Sequence, residues 1–338
     1  MAEENFSTLG KIEAIGLLYE GSGYSPVDQC SFESANGSHI YESSAVYLEG
    51  IDFDLTYFPL KHLGYKCVIG VTGDLYSSMA APRSLSVKLG VSAKLDYPRI
   101  KDLWSGITAA AKEHGYVSVS LDLVPSQNGL VISLAATGET SLLTFKRRSK
   151  AQSKDLICVS GSLGAALLGL QVLEKERRTF DKTKDDSSQP SLEKYKMIVG
   201  DYIKPDLSPN IVSHLESSEI YPSYGYFVTK GLADAVKRLV RDSGFGAKIY
   251  ADKIPFEGNS FELGKELNID PISAAMNGGD DFRLLFVVPI LSLDKFRHDF
   301  QTFDIIGHLA KSEVGAVLVS PDGVELPLKA QGWKEEDI

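Results

Sequence analysis

Residues 277–286 read Asn-Gly-Gly-Asp-Asp-Phe-Arg-Leu-Leu-Phe, so that two glycines and two carboxylates precede an apolar stretch. Glycine adopts positive φ at little cost and lets a backbone approach a ligand closely. The apolar stretch that follows predicts a buried strand. A turn of this composition suits a ligand-facing role for Asp280 and Asp281, and an ordinary acidic turn is the alternative.

Four further side chains have the chemistry of a phosphate or metal site, each with a structural alternative. Asp74 and Asp122 follow short apolar segments, where an aspartate either binds a metal or caps a turn or helix. Arg148 ends a run of basic residues, and its guanidinium either contacts a phosphate or is solvated. Trp333 either stacks on a ligand ring or anchors the C-terminal tail. The histidines are not accompanied by residues that would complete a catalytic triad, so the sequence identifies no catalytic residue.

Length and charge limit the classes of function. The chain has 338 residues, of which 43% are hydrophobic, and a formal net charge of -10. This length suits two domains of ordinary size. The acidic balance argues against nucleic acid or an anionic membrane as a partner, because both are negatively charged. A local basic pocket for a small phosphate ligand is compatible with it.

Cysteine spacing and the apolar runs predict a cytoplasmic protein. Cys30, Cys67 and Cys158 are widely spaced, which disfavours a zinc site or a disulfide framework and suits reduced thiols. Residues 1–16 contain no apolar core of signal-peptide length. The longest uncharged stretch, residues 156–173, contains serine and glycine breaks, so it predicts a strand, a turn and a helix rather than a membrane span.

Strand and helix patterns alternate along both halves of the chain and predict a mixed α/β fold. Strands are predicted at 84–91, 117–123 and 130–136, and helices at 100–114, 163–178 and 233–243. Residues 68–71 fit either a short buried strand or the start of a helix. Residues 179–191 predict a mobile surface loop, and 315–328 a hairpin. A polar basic stretch at 147–154 suggests a domain boundary.

Several short motifs follow one another in the order found in a known family. They are Leu-Glu-Gly at 48–50, Gly-Asp-Leu at 73–75, the segment 148–164 with its Ser-Gly-Ser-Leu-Gly turn, Gly-Leu at 231–232, Ile-Pro at 254–255, the turn at 277–285 and Gln-Gly-Trp at 331–333. Together, over about residues 45–333, they resemble the thiamine-monophosphate kinase family. That family lies within the superfamily of aminoimidazole ribonucleotide synthetase-like proteins.

The resemblance implies a two-domain α/β protein of the aminoimidazole ribonucleotide synthetase-like fold. Residues 1–146 would form an N-terminal domain that carries the metal and nucleotide site and half of a β-barrel shared across a homodimer. Residues 147–338 would form a C-terminal α/β domain. The implied activity is ATP-dependent phosphoryl transfer to thiamine monophosphate, giving thiamine diphosphate, with Mg²⁺ ions bridging ATP to aspartates.

The resemblance also assigns site roles to individual residues. The implied metal ligands are Asp28, Asp74 and Asp122. The implied nucleotide-binding residues are Asp122, Arg148, Thr229 and Lys230. The implied substrate-binding residues are Asp52, Asp280 and Trp333.

The chain departs from the family pattern where that pattern binds metal. The family's Gly-Asp-Asp-Ala-Ala segment is matched by residues 27–31, Val-Asp-Gln-Cys-Ser, which keep one carboxylate. Family aspartates are replaced by Ala45, Phe227 and Lys230, and a family histidine by Asp52. Because Mg²⁺ demands near-octahedral oxygen coordination, these changes argue against the family's Mg²⁺ cluster. Lys230 offers a fixed positive charge to a phosphate instead.

Two functional hypotheses follow from this selective pattern. The first is an ATP-dependent kinase with altered metal use or an altered substrate. The second is a catalytically silent relative that binds a nucleotide or another phosphorylated ligand, or that serves as a dimer partner. The retained carboxylates and Arg148 favour the first hypothesis, and the replaced aspartates favour the second.

Overall fold

The computed structural model describes residues 10–183 and 192–333. Its helices are α1 (Lys11–Tyr19), α2 (Leu60–Ser77), α3 (Tyr97–Glu113), α4 (Leu142–Arg147), α5 (Ala165–Thr183), α6 (Lys196–Ile203), α7 (Ile211–Ser217), α8 (Leu232–Ser243), α9 (Ser260–Leu267), α10 (Pro271–Asn277) and α11 (Leu293–Asp299). Its strands are β1 (Ser31–Glu33), β2 (His39–Leu48), β3 (Ala81–Ser92), β4 (Ser118–Ser126), β5 (Val131–Thr140), β6 (Leu156–Ser160), β7 (Tyr224–Val228), β8 (Gly246–Tyr250), β9 (Arg283–Val288), β10 (Phe303–Ala310), β11 (Ala316–Val319) and β12 (Glu325–Pro327).

The first sheet runs in the order β1-β2-β5-β3-β4. β3 and β4 are parallel, and the other neighbouring strands are antiparallel. Alternate residues of β5 are buried, because α2 packs against β2 and β5 on one face of the sheet. β4 pairs with β3 alone and leaves most of its side chains exposed, so it forms an open edge.

The second sheet runs in the order β12-β11-β8-β10-β6-β9-β7. β8 and β11 are parallel, and the other neighbouring strands are antiparallel. β6 and β9 are buried along nearly their whole length, which explains their almost continuous apolar sequences. α8 packs against β7 and β8 of this sheet.

α2 joins the two sheets and is buried on almost every side. It packs against β2 and β5 of the first sheet and against β7 and β9 of the second. A Cβ on Gly225 of β7 would lie 2.1 Å from the carbonyl oxygen of Ser77, so the strand passes directly against the end of the helix. Leu168 of α5 and Tyr202 of α6 join the core of the first sheet. The hydrophobic core therefore continues across residue 147.

Most of the sequence-based elements are confirmed. The predicted strands correspond to β3, β4 and β5, and the predicted helices to α3, α5 and α8. β11 and β12 form the predicted hairpin. α8 ends at Gly244 in the left-handed conformation, which is the helix stop that glycine favours. The mixed α/β, two-domain aminoimidazole ribonucleotide synthetase-like fold class is confirmed as well.

Two local expectations need correction. The strand alternative for residues 68–71 was wrong, because they lie in the part of α2 that both sheets enclose, where a helix is buried on all sides. The surface loop predicted at 179–191 was wrong at its start, where α5 continues to Thr183; the stretch 184–191 lies outside the described residues. Within the described ranges, no helix has both the length and the apolar character needed to cross a membrane.

α2 and α3 approach so closely that each presents a glycine to the other. A Cβ on Gly64 would lie 2.2 Å from the carbonyl oxygen of Leu103, and a Cβ on Gly106 would lie 1.8 Å from that of Lys61. Both obstacles are backbone atoms, so neither can swing aside. This reciprocal contact fixes the position of α2, which carries Lys66 and Asp74 toward the site.

Replacing Gly106 by alanine is expected to lower the free energy of unfolding by about 3 kcal/mol, because the new methyl group forces the two helices apart. Chemical denaturation followed by circular dichroism measures this loss. Gly200 of α6 is the matched control, since a Cβ there meets no atom within 4 Å. Gly200→Ala should be neutral or gain up to about 1 kcal/mol from helix propensity. Equal effects of the two substitutions would contradict the packing account.

Candidate functional site

Two clefts are lined by residues from both the N-terminal and the C-terminal parts of the chain, and the segment 224–242 contributes to each of them. The first cleft has a volume of about 570 Å³, and the second about 860 Å³. The charged residues that line the first cleft are Asp28, Glu42, Asp74, Arg148, Arg238, Arg241 and Asp242. The charged residues that line the second cleft are Lys11, Asp52, Asp54, Glu174, Arg177, Arg178, Lys230 and Asp280.

Asp74 faces the first cleft from the C-terminal half of α2. The Ser43 hydroxyl donates a hydrogen bond of 3.2 Å to its Oδ2. Burial raises the pKa of Asp74 to about 6, although the positive charge of Arg238 opposes this shift. A carboxylate held in this way, beside the start of the second sheet, is oriented to receive a polar or cationic group from the cleft.

Asp28 crosses the first cleft to the arginines of α8. One carboxylate oxygen lies 2.6 Å from a terminal nitrogen of Arg241 and 3.9 Å from one of Arg238. Arg238 also lies 3.0 Å from Asp234, four residues earlier on the same helix. The Asp28 carboxylate is thus already neutralised by guanidinium groups.

Phe227 fills the corner beside Asp74 that an aspartate occupies in the family pattern. Its ring is fully buried and packs edge-on against Phe282, with 5.6 Å between the ring centroids. A Cβ side-chain atom added to Gly73 would lie 2.3 Å from this ring. Gly73 and Phe227 are therefore matched in size, and the apolar ring packs against α2 at the residue before Asp74.

These residues do not fit the Mg²⁺ cluster that the resemblance implied. Asp28 is paired with arginines, Phe227 is a buried ring without an oxygen ligand, and Lys230 carries a positive charge. Ala45 lies on β2 opposite Leu134 and packs against the first core, where it offers no oxygen ligand. The part of the chain that the structure describes brings together no group of three His, Cys, Asp or Glu side chains able to hold a metal ion.

Asp280 faces the second cleft through a strained turn. Its φ is 59°, a left-handed conformation that is uncommon outside glycine, and its amide donates to the Thr229 carbonyl at 2.9 Å. One carboxylate oxygen lies 2.9 Å from the ammonium of Lys66. The Lys66 side chain is 4% exposed, whereas that of Asp280 is 38% exposed. A buried cation therefore fixes a carboxylate at the wall of the cleft.

An aromatic box surrounds the Lys66 ammonium. The nitrogen lies 3.8 Å from the ring centroid of Tyr202, 5.3 Å from that of Phe282 and 5.4 Å from that of Phe58. Aromatic faces attract cations, and the attraction grows when water is excluded. The box keeps Lys66 in the interior and directed at Asp280.

Asp281 has a structural role rather than the ligand-facing role considered from sequence. Its carboxylate is buried and accepts hydrogen bonds from the Gly164 amide at 2.9 and 3.0 Å and from the Ala166 amide at 3.4 Å. These amides belong to the first turn of α5, whose N–H groups have no partner within the helix. Burial raises the pKa of Asp281 to about 7.

Lys230 stands between the clefts at the start of α8 and lines the second one. It approaches Lys11 of α1, and burial together with this neighbour lowers the pKa of Lys11 to about 8. Thr229 lies beside it in the same cleft. The next residue, Gly231, has φ of 90°, and a Cβ there would lie 2.3 Å from the Met276 carbonyl oxygen. Only glycine lets the two loops cross here.

The structure places the remaining predicted residues apart from one another. Asp52 lines the second cleft, where its carboxylate accepts the Leu48 amide at 2.7 Å. Arg148 lines the first cleft and donates to the Pro222 carbonyl at 3.3 Å. Asp122 is exposed on β4 and lines neither cleft. Trp333 donates from its indole nitrogen to Asp234 at 2.9 Å and packs against the second core, so it too lies outside both linings.

Sequence reasoning missed Lys66, Arg238 and Arg241. Lys66 had a signal, because a single lysine interrupts the long apolar run of α2. The arginines had a weaker signal. They are three residues apart on a strongly amphipathic helix, a spacing that places both on one face.

Comparisons with known proteins agree with this fold. Residues 28–140 match the family model described as AIR synthase related protein, N-terminal domain. The thiamine-monophosphate kinase of Pyrococcus horikoshii is 28% identical over 275 residues, which cover 81% of this chain and 79% of that protein. The thiamine-monophosphate kinase of Aquifex aeolicus is 24% identical over 315 residues, covering 93% and 92% of the two chains.

Solved structures share the fold along nearly the whole chain. One, described as AaThiL complexed with AMPPCP and TMP, has a TM-score of 0.78 at 20% identity and covers 96% of this chain and 97% of its own. The fold is therefore that of the aminoimidazole ribonucleotide synthetase-like proteins. Within that fold class, the chain is similar over most of its length to thiamine-monophosphate kinases.

Proposed function

We propose that this protein binds ATP in the first cleft and a thiamine-monophosphate-like acceptor in the second, and that it transfers a phosphoryl group between them slowly. The single observation that carries the proposal is that α8 and the residues just before it contribute a cation to each cleft. Lys230 at the start of this helix lines the second cleft, and Arg238 two turns later lines the first. The curated relatives named above are thiamine-monophosphate kinases, which supports the same assignment.

Each cleft offers positive charge to a phosphate. Arg148, Arg238 and Arg241 line the first cleft, and Lys11 and Lys230 line the second. Guanidinium groups suit phosphate because their planar donors match its oxygens in pairs, and ammonium groups provide a compact charge. Asp280 and Asp52 also line the second cleft and suit a cationic or hydrogen-bonding part of the acceptor.

Transfer is slow in this proposal because side chains alone compensate the charge of the transferring group. Phosphoryl transfer depends chiefly on positioning and on electrostatic stabilisation of the equatorial oxygens. A second candidate function is that of a catalytically silent protein that binds the same ligands. The packing of the Phe227 ring against Gly73 favours this second candidate, since the ring takes the place of a further carboxylate near Asp74.

A turnover assay on the purified protein separates the two candidates. With ATP, Mg²⁺ and thiamine monophosphate, chromatography should detect thiamine diphosphate at a rate at least about 100-fold below that of the Pyrococcus horikoshii relative, because electrostatic stabilisation of this kind is worth that factor. Binding of both ligands without product would favour the silent candidate. A rate equal to that of the relative would contradict slow transfer, and failure of either ligand to bind would overturn both candidates.

We also propose that residues 1–146 and 147–338 form the two domains and that the protein is a homodimer built through its N-terminal part. β4 is an open edge with exposed apolar side chains, among them Leu121, Leu123 and Val124. Such an edge invites pairing with a second copy. Light scattering at micromolar concentration should give the mass of a dimer. Leu123→Lys should shift the equilibrium toward the monomer, and a wild-type protein that is monomeric throughout would refute the proposal.

A further inference from the structure

The first cleft already contains an ion pair with the geometry of a bound anion. Arg241 and Arg238 project from neighbouring turns of α8, and the Asp28 carboxylate lies between them at 2.6 and 3.9 Å. All three side chains border the open cleft, with exposed fractions of 34% for Arg241, 17% for Arg238 and 41% for Asp28. A phosphate presents the same kind of oxygen acceptor to a guanidinium as a carboxylate does.

The other carboxylates near these arginines are held by additional partners. Asp242 binds the Nε of Arg241 at 2.7 Å and also accepts the Tyr226 hydroxyl at 2.8 Å. Asp234 lies 3.0 Å from Arg238 and accepts the Trp333 indole. These contacts hold both guanidinium groups in place. Asp28 approaches them from across the cleft, so it is the carboxylate that an incoming anion would replace.

We propose that the first cleft binds the polyphosphate chain of a nucleotide directly through Arg238 and Arg241 without a divalent cation, and that Asp28 occupies the anion position until the ligand displaces it. This inference rests on the proposed function only in assigning the nucleotide to this cleft. It follows from the misfit between the residues present and a magnesium cluster. The oxygen of Asp28 that would ligate a metal is bound to guanidinium groups. Phe227, which lines the same cleft, supplies an apolar ring where a metal site would need an oxygen ligand.

The two possible roles of Asp28 predict effects of opposite sign. If Asp28 competes with the ligand, removing its charge frees the arginines and tightens anion binding. If Asp28 ligates a metal that carries the ligand, removing its charge weakens binding. The sign of the effect of Asp28→Asn therefore identifies the role of this carboxylate without reference to catalysis.

Calorimetric titration with inorganic tripolyphosphate in the presence of EDTA tests the proposal on the full-length protein. The wild type should bind, and Asp28→Asn should bind about two- to fivefold more tightly, as expected for release of a partly exposed ion pair. Arg241→Gln should weaken binding about tenfold, the usual effect of losing a hydrogen bond to a charged group. Arg83→Gln is the matched control, since Arg83 is an exposed arginine paired with Glu139 outside both clefts.

Arg241→Lys is the control for a folding defect, because it keeps the positive charge and removes the paired donors of the guanidinium group. It should weaken binding less than Arg241→Gln, with an unchanged thermal melt. Absence of tripolyphosphate binding in EDTA, or binding that requires Mg²⁺ and is lost in Asp28→Asn, would overturn the inference. Binding in EDTA by a protein without kinase turnover would remove the proposed function and leave the inference standing. Slow turnover without tripolyphosphate binding in EDTA would overturn the inference and leave the proposed function standing.

Discussion

Replacing Asp280 by asparagine is expected to lower the free energy of unfolding by about 3 kcal/mol, because it leaves a buried ammonium without its carboxylate. The Lys66 side chain is 4% exposed, and its nitrogen lies 2.9 Å from Asp280. The aromatic rings around Lys66 offset part of the loss, with Tyr202 at 3.8 Å from the nitrogen. The neutral amide of asparagine and the aromatic rings together do not replace the ion pair.

A double-mutant cycle distinguishes this explanation from a general defect in the turn. Lys66→Met keeps the length of the side chain and removes its charge, so the double variant Lys66→Met with Asp280→Asn should recover most of the lost stability. Asp52→Asn is the control, because Asp52 lines the same cleft without a buried cation, and it should cost less than about 1 kcal/mol. Additive losses in the double variant, measured by urea denaturation, would show that the pair is not coupled.

The turn at residues 277–286 shows what sequence establishes and where it stops. Glycine followed by carboxylates predicted a special backbone and a following strand, and both are present: Gly279 and Asp280 have positive φ, and β9 begins at Arg283. The sequence could not tell the two aspartates apart. Asp280 turns to Lys66 and the cleft, while Asp281 turns inward to the first turn of α5. The difference is set by partners more than 100 residues away in sequence.

α2 illustrates a second limit. Its apolar run was compatible with a strand or a helix, because periodicity disappears when an element is buried on all sides. Its glycines had no meaning in sequence alone. In the structure, Gly64 admits α3, and Gly73 admits the ring of Phe227. Sequence comparison with the family detected that Phe227 replaces an aspartate, but only the fold shows that the ring needs a glycine opposite it.

The first cleft is the part of the site least accessible from sequence. Asp28, Asp74 and Arg148 were predicted as site residues, and the structure brings them to one cleft. Arg238 and Arg241 read as ordinary charges on the polar face of a helix, because a solvated face and a cleft wall have the same pattern. Their role depends on the position of Asp28 relative to α8, which is a tertiary contact over more than 200 residues.

The stability of this protein should vary with pH through Asp281. Burial raises the pKa of its carboxyl to about 7, well above the ordinary value for aspartate, although the amides of Gly164 and Ala166 and the charge of Arg283 oppose this shift. The folded protein therefore holds a proton that the unfolded chain has lost. The stabilising contribution is complete below the unfolded pKa and is lost as the pH rises through the folded value. Over the whole window the loss is about 4 kcal/mol, at ~1.4 kcal/mol for each pH unit.

Asp281→Asn isolates this contribution, because asparagine has nearly the same shape and does not ionise. The free energy of unfolding of the variant minus that of the wild type should rise between pH 4 and pH 8, as measured by denaturation at a series of pH values. Asp54→Asn is the matched control of opposite sign. Although partial burial of Asp54 acts in the other direction, hydrogen bonds from Thr56 and the charge of Arg177 lower the pKa of this carboxyl. Because this pKa is depressed, the difference curve of Asp54→Asn should fall with rising pH mainly below about pH 4, so its series extends to lower pH, and it should be nearly flat from there to pH 8. A flat curve for Asp281→Asn would show that the buried carboxyl ionises alike in both states.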